Sequence, residues 1–180
     1  MKNRSSTGWI IRITVLSIII SVVFTLVSTE ALSGAGYFAA FAVLLLYILI
    51  GLVIDIIGVA VTVAPEAPFH SMASHRENGA SEAIKLIKNS EKVSSICNDV
   101  VGDIAGIVSG TTSTIIVAML VKDLSANNVL LQLAMSGVVS GVTIGGKAIG
   151  KIFAINRSVS VTYTVGKTIH FLTKFRKGKR

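Results

Sequence analysis

The chain has 180 residues, of which 52% are hydrophobic and only 14% charged, and it carries a formal net charge of +8. Soluble domains hold about a quarter charged residues, and a chain this short has too little interior to hide so much apolar surface, so an ordinary soluble domain is excluded. In so apolar a chain the positive charge points to anionic lipid and away from nucleic acid, and a lone cysteine, Cys97, rules out an intrachain disulfide or thiol-rich metal cluster.

About 20 apolar residues are needed to cross the hydrocarbon of a bilayer. The first such run, residues 9–27, follows Lys2 and Arg4 and contains Arg12. A cleaved signal peptide over residues 2–31 is the rival reading, against which the length of the run from Ile13 to Val27 argues. The loop at residues 28–36 has no Lys or Arg, and a second run covers residues 37–63. Trp9 and Tyr37 stand at span ends, where amphipathic rings favour the interface. Pro65 and Pro68 then predict a helix break around Glu66.

Residues 80–96 predict an amphipathic helix with Lys85, Lys88 and Lys92 on one stripe and Ile84 and Ile87 off it. The third span is expected at residues 100–121 and the fourth at 129–149, joined by a loop with Lys122 beside Asp123. Gly102, Gly106 and Gly110 repeat every four residues in one, and Gly137, Gly141 and Gly145 in the other. Such stripes let helix backbones approach closely in lipid, so the two spans are expected to pack on each other or on a second copy as a homodimer. Residues 158–175 predict a second interfacial helix, with Val161, Val165, Ile169 and Leu172 opposed by Tyr163, Lys167, His170 and Lys174. A basic tail, 174–180, closes the chain.

The expected fold is thus all-α and integral to the membrane: one transmembrane domain, 1–180, of about four transmembrane helices with two amphipathic interfacial helices. Basic residues alternate rich, poor, rich, poor, rich between the spans. That places both termini in the cytoplasm, at the plasma (inner) membrane, with the lipid bilayer as partner and no nucleic acid.

Charges at membrane depth cost about 2.5–3.5 kcal/mol on insertion scales, so each calls for a reason. Asp55 lies in the second span; Asp99 and Asp103 open the third at a spacing that puts both on one face; Lys147 ends the fourth. One reading is a cation path lined by oxygen ligands, the hard ligands that Mg²⁺ or Na⁺ would take. The other pairs Lys147 with Asp99 or Asp103 and leaves Asp55 and Glu66 facing a partner helix. His70 and His75, five residues apart, are read as interfacial. No nucleophile–base pair or phosphate-binding glycine loop is visible, so no enzyme is expected.

Residues 54–156 resemble the transmembrane domain of the cyclin-M/CorC family of magnesium (divalent cation) transporters. The resemblance rests on Ala64-Pro65-Glu66-Ala67 followed by Phe69-His70-Ser71-Met72-Ala73-Ser74, and on Asn78-Gly79-Ala80 leading into Ile84-Lys85-Leu86-Ile87-Lys88-Asn89. It continues through Ser94-Ser95 with Asp99 and Asp103 at the spacing of the family's Asn pair, and through Gly146-Lys147-Ala148-Ile149-Gly150-Lys151 with Ala154. It implies Mg²⁺ transport or sensing with Glu66, Asp99 and Asp103 as ligands and Ser71 or Ser109 as helpers. Lys147 replaces the family's glutamate and would act as charge partner. The alternative it implies is a non-transporting scaffold or accessory subunit whose ion site a salt bridge fills. The family's cytosolic nucleotide-sensing pair does not follow here, so a separate regulatory protein would supply that role.

Overall fold

A computed structural model of the chain describes residues 3–32, 34, 36–124 and 127–177. Lys2, Lys179 and Arg180 lie outside them, as do the side chains of Arg4, Arg176 and Lys177. The described elements are helical throughout: α1 (Asn3–Leu32), α2 (Tyr37–Val63), α3 (Ala67–Ser74), α4 (Ala80–Lys88), α5 (Ser90–Ser94), a π-helical segment (Ser95–Gly102), α6 (Asp103–Leu124), α7 (Asn128–Asn156) and α8 (Ser158–Lys177). Among the described residues four helical stretches are long and apolar enough to cross a membrane: Thr7–Leu32, Tyr37–Val63, Ser90–Asp123 and Asn128–Asn156. Ile10, Ile11, Ile18 and Ile19 on α1, and Leu130, Leu133, Ile144 and Ile149 on α7, are each more than half exposed. Apolar surface this continuous is abnormal in water.

By contacts the chain forms two compact units, Met1–Leu52 with Asp99–Gly146, and Val53–Asn98 with Lys147–Arg180. In the first, Ile13, Ile20 and Phe24 of α1 pack against Val43 and Tyr47 of α2 and against Val100, Ile104 and Val108. The Tyr47 hydroxyl donates to the Phe24 carbonyl at 2.9 Å, so the polar tip of a buried ring is satisfied by backbone. Ser28 and Thr112 share a buried hydrogen bond of 3.2 Å, the kind of polar link that joins helices where apolar burial drives nothing. Asn127 accepts from the Val129 and Leu130 amides at 3.0 and 3.4 Å, capping the start of α7.

The glycine stripes are not joined to each other. Gly102 is buried, and its carbonyl oxygen and Ala105 Cβ would lie 3.7 and 3.2 Å from a Cβ at Gly51. At Gly106, Gly110, Gly137, Gly141 and Gly145 a Cβ would meet nothing within 4 Å.

In the second unit the prolines act as expected: α2 stops at Val63, and α3 starts at Ala67 with Pro68 in its first turn. Helix α3 ends with Arg76 in the left-handed region (φ 58°). The Arg76 amide donates to Ala73 and the Glu77 amide to Met72, both at 3.0 Å, which is a Schellman closure with arginine in the place glycine usually takes. Phe69, fully buried, packs with Ala64 and Ala83, and Ile84 and Ile87 close over this cluster. The helix expected at 80–96 breaks at Asn89, whose side chain donates to the Lys85 carbonyl at 2.9 Å. The third apolar stretch therefore begins at Ser90, well before residue 100.

Helix α8 crosses α4 with backbones touching. A Cβ at Gly79 would stand 2.6 Å from the Lys167 nitrogen, and one at Gly166 would stand 2.5 Å from the Gly79 carbonyl oxygen. Gly79 also holds φ at 92°, a conformation costly for any side chain. Ser158, Thr162 and Gly166 are buried while Leu172 is 62% exposed, so α8 turns its small, polar stripe inward. Tyr163 donates to Glu77 at 2.6 Å, and His170 Nδ1 lies 3.1 Å from Glu82. Burial pushes the Glu82 carboxyl up, but the hydrogen bond and charge of His170, its own backbone amide and Lys85 outweigh this and hold it below its ordinary value of 4.5.

Two outcomes follow from this crossing. Gly79→Ala and Gly166→Ala are each expected to destabilise the α4–α8 pair by about 2–3 kcal/mol, read as faster tryptic cleavage at Lys85 and Lys88, whereas Gly141→Ala leaves the rate unchanged. Because Glu82 has a depressed pKa, its contribution is present above the ordinary carboxylate range and is lost as pH falls through the lower, folded value. Acid titration followed by cleavage with an acid-active protease should show the pair loosening as pH falls through the ordinary carboxylate range and below it, a step absent in Glu82→Gln.

Candidate functional site

The polar groups that gather in the apolar part of the second unit centre on one turn of α2. Asp55 and Gly58 are three residues apart and share a helix face. Lys147 of α7 places its ammonium 3.9 Å from the Asp55 carboxylate, with the side chains 30% and 16% exposed. That separation is beyond hydrogen-bond range, so the pair is held by charge alone; at an effective dielectric of 20 the attraction is about 4 kcal/mol before desolvation is subtracted.

Asn98 completes the cluster. It lies in the π-helical segment, whose wider turn disturbs the regular carbonyl ladder and is frequent at functional sites. Its amide nitrogen donates to Ser94 Oγ at 3.1 Å. Its carbonyl oxygen is buried and has no hydrogen-bond partner among the described residues. That oxygen rests against Gly58, where a Cβ would overlap it and also crowd Cys97 Cβ at 3.0 Å. Glycine at 58 is therefore what lets Asn98 and Cys97 approach α2 beside Asp55. The half-buried Cys97 thiol lies close enough to Asp55 to feel its charge.

The residues expected as ligands are placed otherwise. Glu66 is exposed at the start of α3, 3.3 Å from His70 Nε2, an exposed pair of small energetic weight. Ser71 is exposed on α3. Asp99 and Asp103 are both exposed. Ser109 is buried, but its hydroxyl donates to the Ala105 carbonyl of its own helix at 2.7 Å. Among the described residues no group of three or more His, Cys, Asp or Glu converges as a metal-holding set. Lys147 has Asp55 as a carboxylate partner, a pairing the sequence reading did not make. Sequence reasoning passed over Asn98 and Gly58. The available signals were the spacing Asp55-x-x-Gly58 and the adjacent polar residues Asn98 and Asp99 within an apolar run.

Comparison with protein-family models, curated proteins and solved structures finds no match to this chain.

The pair is testable by a mutant cycle. Lys147→Met alone should cost about 3 kcal/mol, since it leaves a carboxylate uncompensated, while Lys147→Met with Asp55→Leu should fall within about 1 kcal/mol of wild type. Thermal unfolding in one mild detergent measures both. With Asp55→Leu completing the cycle, a double-variant cost equal to the sum of the two single costs would show that the two charges do not interact.

Proposed function

We propose that the chain is an integral membrane protein that transports or senses a divalent cation, Mg²⁺ first, with the cluster at Asp55 as its ion site. In this reading Asp55 and the Asn98 carbonyl oxygen are the protein ligands, and the Lys147 ammonium is the resident charge that a cation displaces. The observation that carries it is the buried Asn98 oxygen, without a hydrogen-bond partner among the described residues, resting on α2 at Gly58 one turn from Asp55, since a buried acceptor left unmatched calls for a ligand. Mg²⁺ keeps several waters and binds through one or two carboxylates, so a sparse set of hard oxygens suits it. The Cys97 thiol is soft and stands outside such a shell. The resemblance of residues 54–156 to the cyclin-M/CorC transmembrane domain supports the same class.

The alternation of basic residues supports a plasma (inner) membrane protein with both termini cytoplasmic. The open faces at Gly106, Gly110, Gly137, Gly141 and Gly145 suit a second copy as partner.

A second reading, a non-transporting scaffold or accessory subunit, is favoured by a specific observation: Lys147 already neutralises Asp55. Thermal unfolding in mild detergent with and without millimolar Mg²⁺ separates the two. A ligand at 100 times its dissociation constant adds about 2.7 kcal/mol to the folded state, or roughly 5–10 °C for a chain of this size. The expected result is a rise in the wild type that is lost in Asp55→Asn and in Asn98→Ala and kept in Asp99→Asn/Asp103→Asn. Loss only in the last variant would move the site to the head of the third apolar stretch, and no rise at any concentration would leave the scaffold.

A further inference from the structure

Away from the charged pair, the second unit holds a groove of about 830 Å³ between α4, α5 and α8, within the range of clefts that hold small molecules. Leu86, Val93 and Ile169 line it and are partly buried, whereas Lys85 and Lys174 stand exposed at its edge. Glu82 also borders the groove, but its carboxylate is engaged by His170 at 3.1 Å. The other polar groups are likewise occupied: Asn89 donates to Lys85 O and Thr173 to His170 O, each at 2.9 Å. Neither lysine enters an ion pair among the described residues. The groove therefore offers an apolar bed with two cationic groups beside it and one carboxylate already matched.

We infer that this groove seats an anionic phospholipid, its acyl chain along Leu86, Val93 and Ile169 and its phosphate between Lys85 and Lys174. Charge complementarity selects the head group, because lysine ammoniums bind phosphate as point charges and each basic residue adds to the attraction of an anionic surface. The apolar lining selects a lipid over free phosphate, which would gain nothing from Leu86 or Ile169. The orientation of α8 agrees: with its small, polar stripe turned onto α4, Leu172 beyond the groove is left exposed to meet a non-aqueous neighbour. This inference stands independently of the cation reading.

The test uses the full chain in mild detergent, with lipid retention followed by native mass spectrometry. The probes are phosphatidylglycerol, phosphatidylcholine of the same chains, inorganic phosphate and a polyglutamate peptide. Phosphatidylglycerol is expected to bind roughly tenfold better than phosphatidylcholine. The preference should vanish in Lys85→Gln/Lys174→Gln and survive both in Lys85→Arg/Lys174→Arg and in Lys122→Gln/Lys151→Gln, which removes the same charge elsewhere. Ile169→Gln should weaken both lipids together. Equal binding of the two lipids, an equal loss in the Lys122/Lys151 variant, or competition by phosphate or polyglutamate as strong as by phosphatidylglycerol would overturn the assignment. Circular dichroism of each variant, with the arginine pair as the charge-keeping control, separates lost binding from lost folding.

Discussion

The carboxylate of Asp55 is the one charge on a helix otherwise built from Leu, Ile, Val, Ala, Gly, aromatic residues and a single threonine, and a charged group at membrane depth is tolerated only with a partner. Lys147 supplies it, across 3.9 Å, from the far end of a second long apolar helix. Other features of the second unit can be read from this constraint. Gly58, one turn along from Asp55, leaves space that a larger residue would fill, and Asn98 and Cys97 enter there. The pair thus fixes which side of α2 is polar, and the glycine decides how near the next polar group comes.

A different rule governs the α4–α8 crossing. In water, α8 would be expected to dock through Val161, Val165 and Leu172. It docks instead through Ser158, Thr162 and Gly166, with Gly79 and Ala83 opposite. Hydrocarbon rewards apolar side chains as well as a protein core does, so in its neighbourhood the choice of interface falls to close backbone fit and hydrogen bonding. Gly79 and Gly166 permit the approach, and Tyr163–Glu77 and His170–Glu82 tie its two ends. The exposed apolar residues of α1 and α7 obey the same logic.

What the sequence makes legible follows from which forces leave a one-dimensional trace. The four long apolar stretches are visible because span length and composition are set by the bilayer alone, and the break around Glu66 is visible because proline carries its own geometry. The boundary at Asn89 is hidden: a pattern of Lys85, Lys88 and Lys92 reads through a residue that stops the helix with its own side chain. The docked face of α8 is not legible because periodicity identifies an apolar stripe without saying whether lipid or protein covers it. At the site, Lys147 is recognisable as a charge needing a partner, but three carboxylates were available to it. The 3.9 Å approach of Lys147 to Asp55 appears only in the folded chain. Asn98 is hidden more deeply still, because the π-helical segment changes the angular step between residues and so invalidates the helical-wheel argument there.

The looseness of the charged pair bears on what it can do. A hydrogen-bonded ammonium and carboxylate would close to about 2.7–2.9 Å, and removing such a lysine from a poorly solvated pocket would forfeit both charge and bond. At 3.9 Å only the Coulomb part is present, while the Lys147 side chain retains partial exposure through which it can move. A divalent ion brought to Asp55 would restore that attraction with twice the charge, and it would also give the Asn98 oxygen the partner it lacks. In the proposed reading lysine would return whenever the ion left, so the carboxylate would never be bare. A scaffold has no need of that second state, and its stability would be better served by a closed bridge with Asn98 hydrogen-bonded into it. The open distance and the idle oxygen are the two features that favour an exchanging site over a permanent clasp.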